Sequence, residues 1–127
     1  MFGNDYETRD GTCVRDYVHV SDLASAHVLA LDYMIKENKS DCFNLGSGRG
    51  YTVKEIIEAA RTVTGHTIPC RIEERRQGDP DSLIASSEKA EKVLGWKRQF
   101  ESIEDIVKSA WVFHQNYPNG FQTGESI

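Results

Sequence analysis

No apolar run in these 127 residues approaches the length of a bilayer-spanning helix. The N-terminus also lacks the basic stretch and apolar core of a secretion signal. Cysteine is scarce: Cys13, Cys42 and Cys70 are odd in number, far apart and without C-x-x-C spacing. They read as reduced thiols, and a cytoplasmic location is expected. The four histidines (His19, His27, His66 and His114) fall at no metal-ligand spacing. They are assigned to packing or surface roles, and no metal is expected. Tyr6, Tyr17, Tyr33, Tyr51 and Tyr117 are followed four residues on by Asp, Ser, Glu, Glu and Phe, so no Tyr-x-x-x-Lys proton-transfer pair is present. No nucleophile, base and orienter can be assembled from local motifs, and no residue is assigned a catalytic role. Basic residues are outnumbered, 15 Lys and Arg against 20 Asp and Glu, for a formal net charge of -5. That balance argues against a nucleic-acid or anionic-membrane surface, and any bound anion must be held by a local cluster.

Hydrophobic residues at 39% and charged residues at 28% fit one folded domain. Residues 1–12 are turn-rich and aperiodic. Val14 to Val20 alternates and predicts a strand. Ser21-Asp22 offers an N-cap for a helix from Leu23 to about Lys36, with Leu23, Ala26, Ala30 and Met34 on one face. Cys42 to Leu45 reads as a brief buried strand. Thr52 and Glu55 stand at capping-box spacing, so a helix starts there, carries Ile56, Ile57, Ala60 and Val63, and stops at Gly65. Ile68 to Glu73 alternates as a strand, and Leu83 to Ala85 is a short extended piece. Ser86 or Ser87 caps a helix to Leu94, with Gly95 as its stop. Ser102 to Tyr117 is a helix with Ile103, Ile106, Val107, Ala110, Trp111 and His114 on one face, ended by Pro118 and Gly120. The residues from Gln122 onward are expected to form a flexible tail. The order is an α/β pattern with short strands, about four helices and a small core. An apolar face should be left over.

Two stretches carry chemistry. Arg75-Arg76-Gln77-Gly78-Asp79-Pro80 places two guanidinium groups before a glycine turn and an aspartate. Paired forks suit a phosphate or diphosphate, and the aspartate suits a sugar hydroxyl. A loop of surface ion pairs fits the same residues. Arg15, a lone arginine among valines, is either an edge-strand charge or a buried anion ligand. Gly46-Ser47-Gly48-Arg49-Gly50 is spaced G-x-G-x-G rather than G-x-G-x-x-G, and no acidic ribose ligand follows on a strand. It reads as a tight strand-to-helix turn.

Several segments occur together in order: Phe2-Gly3-Asn4-Asp5-Tyr6, Asp10-Gly11-Thr12, Val14-Arg15-Asp16-Tyr17-Val18-His19-Val20, Phe43-Asn44-Leu45-Gly46, Arg75-Arg76-x-Gly78-Asp79 and Leu94-Gly95-Trp96. With Pro118-Asn119-Gly120, the chain resembles the C-terminal part of UDP-glucose 4-epimerases, extended short-chain dehydrogenase/reductase enzymes that interconvert UDP-glucose and UDP-galactose. The resemblance implies that residues 1–121 are a UDP-sugar-binding C-terminal lobe. The N-terminal Rossmann lobe, with its NAD and Tyr/Lys pair, lies outside this sequence, so the chain alone should be inactive. In such enzymes NAD takes hydride from the sugar C4, the 4-keto sugar turns over, and hydride returns to the other face. The resemblance assigns Arg15 and Arg76 to the diphosphate and Asp79 to the ribose hydroxyls. Gln77 and Gly78 complete the loop, the main chain at Phe2 meets the uracil, and Val53 packs nearby. Leu83 stands where some members carry a tyrosine beside the hexose, which leaves room for UDP-N-acetylhexosamines. The complete enzyme is expected to be a homodimer. Rival readings are another sugar-nucleotide short-chain enzyme (a dehydratase or decarboxylase) and a non-catalytic UDP-sugar-binding module.

Overall fold

The computed structural model describes residues 1–120; the tail expected from residue 122 lies outside them. The order is β1 (Val14–Arg15), α1 (Val20–Glu37), β2 (Tyr51–Thr52), α2 (Val53–Thr64), β3 (Ser82–Leu83), α3 (Glu88–Leu94) and α4 (Ile103–Asn116). The small sheet runs β2-β1-β3. Its centre, β1, pairs antiparallel with β2 (Val14 opposite Thr52, Arg15 opposite Tyr51) and parallel with β3 (Val14 opposite Ser82, Arg15 opposite Leu83).

The helices follow local rules. Thr52 caps α2 through a complete capping box: its Oγ1 accepts from Glu55 N at 3.1 Å, and its own N–H donates to Glu55 Oε2 at 2.8 Å. Gly65 ends that helix in the left-handed conformation, as Gly95 ends α3. Ser102 caps α4 by accepting from Asp105 N. The start of α1 differs from expectation. It begins at Val20, capped by His19, whose Nδ1 accepts from Ser21 N at 3.1 Å. Asp22 is not a cap because it is buried elsewhere: its carboxylate accepts from Gln99 N at 2.9 Å and Phe100 N at 3.2 Å.

The strands are shorter than the alternation predicts. After Arg15, Asp16 turns its carboxylate to Ser47 N and Ala85 N, at 2.7 and 2.9 Å, and the ladder stops. Cys42 to Leu45 is not a strand: it packs Phe43 and Leu45 onto the core, but no backbone ladder forms there among the described residues. Ile68 to Glu73 reduces to one bridge between Phe2 and Glu73. Ile68 sits at φ 40, outside the extended region, and the next residue, Pro69, has no N–H to give.

The core gathers Ala26, Ala90 and Trp96, with Val18, Leu29, Phe43, Leu45 and Leu94 packed around them. Trp96 donates its indole N–H to Asp22 O at 2.9 Å. Helix α2 lies along α4, and α1 against α3. No helix among the described residues is long and apolar enough to cross a membrane.

Candidate functional site

Arg15 leaves the central strand beside β3, and the parallel pairing of β1 with β3 brings it to the end of the Arg75–Pro80 loop. Val14 N donates to Asp81 O at 2.8 Å, which fixes that approach. Arg15 Nη1 donates to Val14 O at 2.6 Å, and its Nη2 donates to Asp79 Oδ1. Arg76 Nη2 reaches the other oxygen, Asp79 Oδ2, at 3.3 Å. Gly78, at φ 78, makes the turn that brings Asp79 back, and Asp79 N donates to Arg76 O at 3.3 Å. The Arg76 guanidinium carbon lies 4.6 Å from the centre of the Phe2 ring, a cation–π contact. Phe2 is held there by its bridge to Glu73.

Phe2, Arg15, Arg76 and Asp79 therefore meet at one place, with Gln77 and Gly78 at the exposed tip of the turn. Leu83 lies beside Arg15 in register and is 61% exposed. Val53 opens α2 one residue after Thr52, whose strand partner is Val14. The hydrogen bond from Arg15 holds the Asp79 carboxyl below the ordinary carboxylate range; burial opposes this more weakly, and the charges of Arg15 and Arg76 reinforce it. Two cations and one carboxylate leave the cluster net positive in a chain whose formal charge is -5.

The adjacent arginines do not act as a pair. Arg75 donates Nε to Asp5 Oδ1 at 2.7 Å and lies over the Tyr6 ring, 4.1 Å from its centre. Successive side chains of an extended stretch point to opposite sides, so Arg76 finds its companion in Arg15 rather than in its neighbour.

The glycine turn is a packing device. A Cβ at Gly50 would lie 2.6 Å from Val14 Cγ1, and one at Gly46 would lie 2.5 Å from Asp16 Oδ2. Three of the loop's amides are already used: Ser47 N donates to Asp16, while Arg49 N and Gly50 N donate to Ser47 Oγ at 3.3 and 3.1 Å. This loop does not fit the diphosphate of NAD. Among the described residues, no group of three or more His, Cys, Asp or Glu is arranged to hold a metal ion.

Motif reading missed two residues that position the site. Asp16 ties β1 to the glycine turn and to Ala85 just after β3. Asp10 accepts from Thr12 and Thr52 and fixes the opening loop to α2. A carboxylate set among strand valines and an Asp-Gly-Thr turn were the available signals.

The family model described as GDP-mannose 4,6 dehydratase matches residues 1–110. The UDP-glucose 4-epimerase of Streptococcus mutans is 60% identical over 121 residues, which are 95% of this chain and 36% of that protein. A crystal structure of a UDP-glucose 4-epimerase superposes with a TM-score of 0.92 at 50% identity, over 97% of this chain and 37% of the other. The Bifidobacterium longum UDP-glucose 4-epimerase, in complex with NAD+ and UDP, does so with a TM-score of 0.82 at 44% identity, over 94% and 35%. The chain thus spans little more than a third of these relatives. It belongs to the family matched by the GDP-mannose 4,6 dehydratase model, within the extended short-chain dehydrogenase/reductases, and in sequence and fold it is similar to the C-terminal part of UDP-glucose 4-epimerases.

Proposed function

We propose that this chain is the UDP-sugar-binding lobe, residues 1–121, of a UDP-glucose 4-epimerase that interconverts UDP-glucose and UDP-galactose. The observation that carries this reading is the convergence of Arg15 and Arg76, from distant parts of the sequence, on the single carboxylate of Asp79. In the bound state the two guanidiniums take the diphosphate, and Asp79 takes the ribose hydroxyls. The main chain at Phe2 meets the uracil with Val53 nearby, Gln77 and Gly78 shape the turn, and the sugar lies toward Leu83. NAD, which would accept hydride from the sugar and return it, is assigned to the part of the enzyme that this chain does not span. The chain alone is then inactive, and the complete enzyme is a cytoplasmic homodimer.

The test is calorimetric titration of UDP, dTDP and GDP into the complete enzyme carrying this sequence. UDP should bind most tightly. Arg15→Met or Arg76→Met should weaken UDP by about 10- to 100-fold, the loss of one charge-assisted contact of roughly 1.5–3 kcal/mol. Unchanged UDP affinity in both variants, or a preference for GDP, defeats the proposal.

Leu83 extends the reading to substrate choice. Its side chain is exposed beside Arg15 and smaller than a tyrosine. UDP-N-acetylglucosamine should therefore bind about as well as UDP-glucose, and Leu83→Tyr should weaken the first selectively. Equal effects on both sugars would show that position 83 does not face the acetamido group.

A further inference from the structure

Asp79 holds the position that a diphosphate bridging both arginines would need. Its two oxygens accept from the two guanidiniums, one each, and its side chain is only 15% exposed against 61% for Arg76. Arg15 is tethered by Val14 O at 2.6 Å, and Arg76 rests on the Phe2 ring at 4.6 Å. The cations are thus preset, and the group that stands between them is the carboxylate.

A bare phosphate or diphosphate ion that bridges the two guanidiniums competes with Asp79 for both. It would then leave an ionised carboxylate facing its own negative charge, a like-charge contact that disfavours binding. A nucleoside diphosphate brings something more, a ribose with neighbouring hydroxyls that can donate to the displaced carboxylate. The same residue that rejects the first ligand is therefore satisfied by the second.

We infer that Asp79 is a specificity gate, shielding the Arg15–Arg76 pair from bare phosphate and diphosphate ions and yielding it to ligands whose sugar hydroxyls receive its carboxylate. The inference rests on the diphosphate reading of these arginines. Asp79 acts by exclusion as well as by contact, and so sets the discrimination between nucleotide and free anion, not only affinity for the nucleotide.

The experiment titrates inorganic pyrophosphate, UDP and 2′,3′-dideoxy-UDP into the complete enzyme and its Asp79→Asn variant. Asparagine keeps the shape and removes the charge. Pyrophosphate should bind about tenfold more tightly to the variant, as expected for removal of one nearby like charge. The wild type should prefer UDP to its dideoxy analogue, and that preference should shrink in the variant. Asp79→Ala, checked for folding by thermal melting, provides the same comparison should the asparagine variant misfold. The gate is overturned if pyrophosphate affinity stays the same or falls in the folded variant, or if the preference for the hydroxyls survives there. If UDP does not bind the wild type, or Arg15→Met binds it equally well, the diphosphate reading itself has failed. UDP binding that depends on Arg15, with pyrophosphate binding indifferent to Asp79, removes the gate alone.

Discussion

At the scale of single residues, Tyr6 shows how the cluster is supported from behind. Its ring is 4% exposed, lies under the Arg75 guanidinium and leaves no room for a side chain at Gly3, where a Cβ would lie 2.5 Å from Tyr6 Cε2. Its hydroxyl is buried with no hydrogen-bond partner among the described residues. Burial also pushes the phenol above its ordinary range, so the group stays neutral. A buried donor without a partner costs about 1–3 kcal/mol relative to a solvated one. The ring, not the hydroxyl, is therefore what Arg75 and Gly3 need. Tyr6→Phe should leave stability unchanged or raise it by about 1 kcal/mol, measured by urea unfolding. A loss above that size would mean that the hydroxyl finds a partner in the complete enzyme.

At the scale of elements, the opening loop and the first turn of α2 form one unit. Thr12 and Thr52 are both fully buried and both donate to Asp10, while Lys54 Nζ donates to Asp10 O at 2.7 Å. Thr52→Ala removes the cap and the bond to Asp10 together, and should cost about 1–2 kcal/mol by urea unfolding. The same unit sets an acid limit. Burial works to raise the Asp10 carboxyl, but hydrogen bonds from Thr52 and Thr12 and the charge of Lys54 outweigh it and hold the group low. The hydrogen bond from Arg9 lowers Glu55 likewise. Carboxyls that titrate lower when folded add stability above their unfolded values, and that stability is lost as pH falls through the folded ones. Stability should thus hold above about pH 4 and decline below it, less steeply in Asp10→Asn. Such local units were legible in the sequence: the Thr52–Glu55 box and the stops at Gly65 and Gly95 need only neighbours a few residues away. Strand extents were less legible: β1 and β3 overlap the extended segments that were expected, but Cys42 to Leu45 and Ile68 to Glu73 have the composition of strands and depend on distant partners to form a ladder. The site divides the same way. Arg76 and Asp79 could be picked from one loop, whereas Arg15 rather than Arg75 as the companion came only from the resemblance, and the parallel pairing of β1 with β3 supplies its physical reason.

At the scale of the whole molecule, the small core leaves one side of α1 uncovered. Val28 is 61% exposed, Leu31 52%, Met34 47% and Ile35 68%. Val28, Leu31 and Ile35 follow helical spacing i, i+3, i+7, so they form one stripe rather than scattered apolar side chains. A cleft of about 390 Å³ lies alongside, lined by Ala30, Leu31, Tyr33, Met34 and Phe43 together with the polar segment Lys39, Ser40 and Asp41. Apolar surface in contact with water favours burial by roughly 25 cal/mol per Å², whatever covers it. The isolated chain should therefore bind a hydrophobic dye and sediment faster as its concentration rises. Val28→Lys combined with Ile35→Lys places two like charges on the stripe and should reduce both effects together. Neither residue belongs to the Arg15–Arg76–Asp79 cluster, so UDP affinity should not change. A monomer that binds no dye at any concentration would mean that the stripe is covered in solution. Loss of UDP affinity in the double-lysine variant would mean that α1 and the anion cluster are coupled through the sheet.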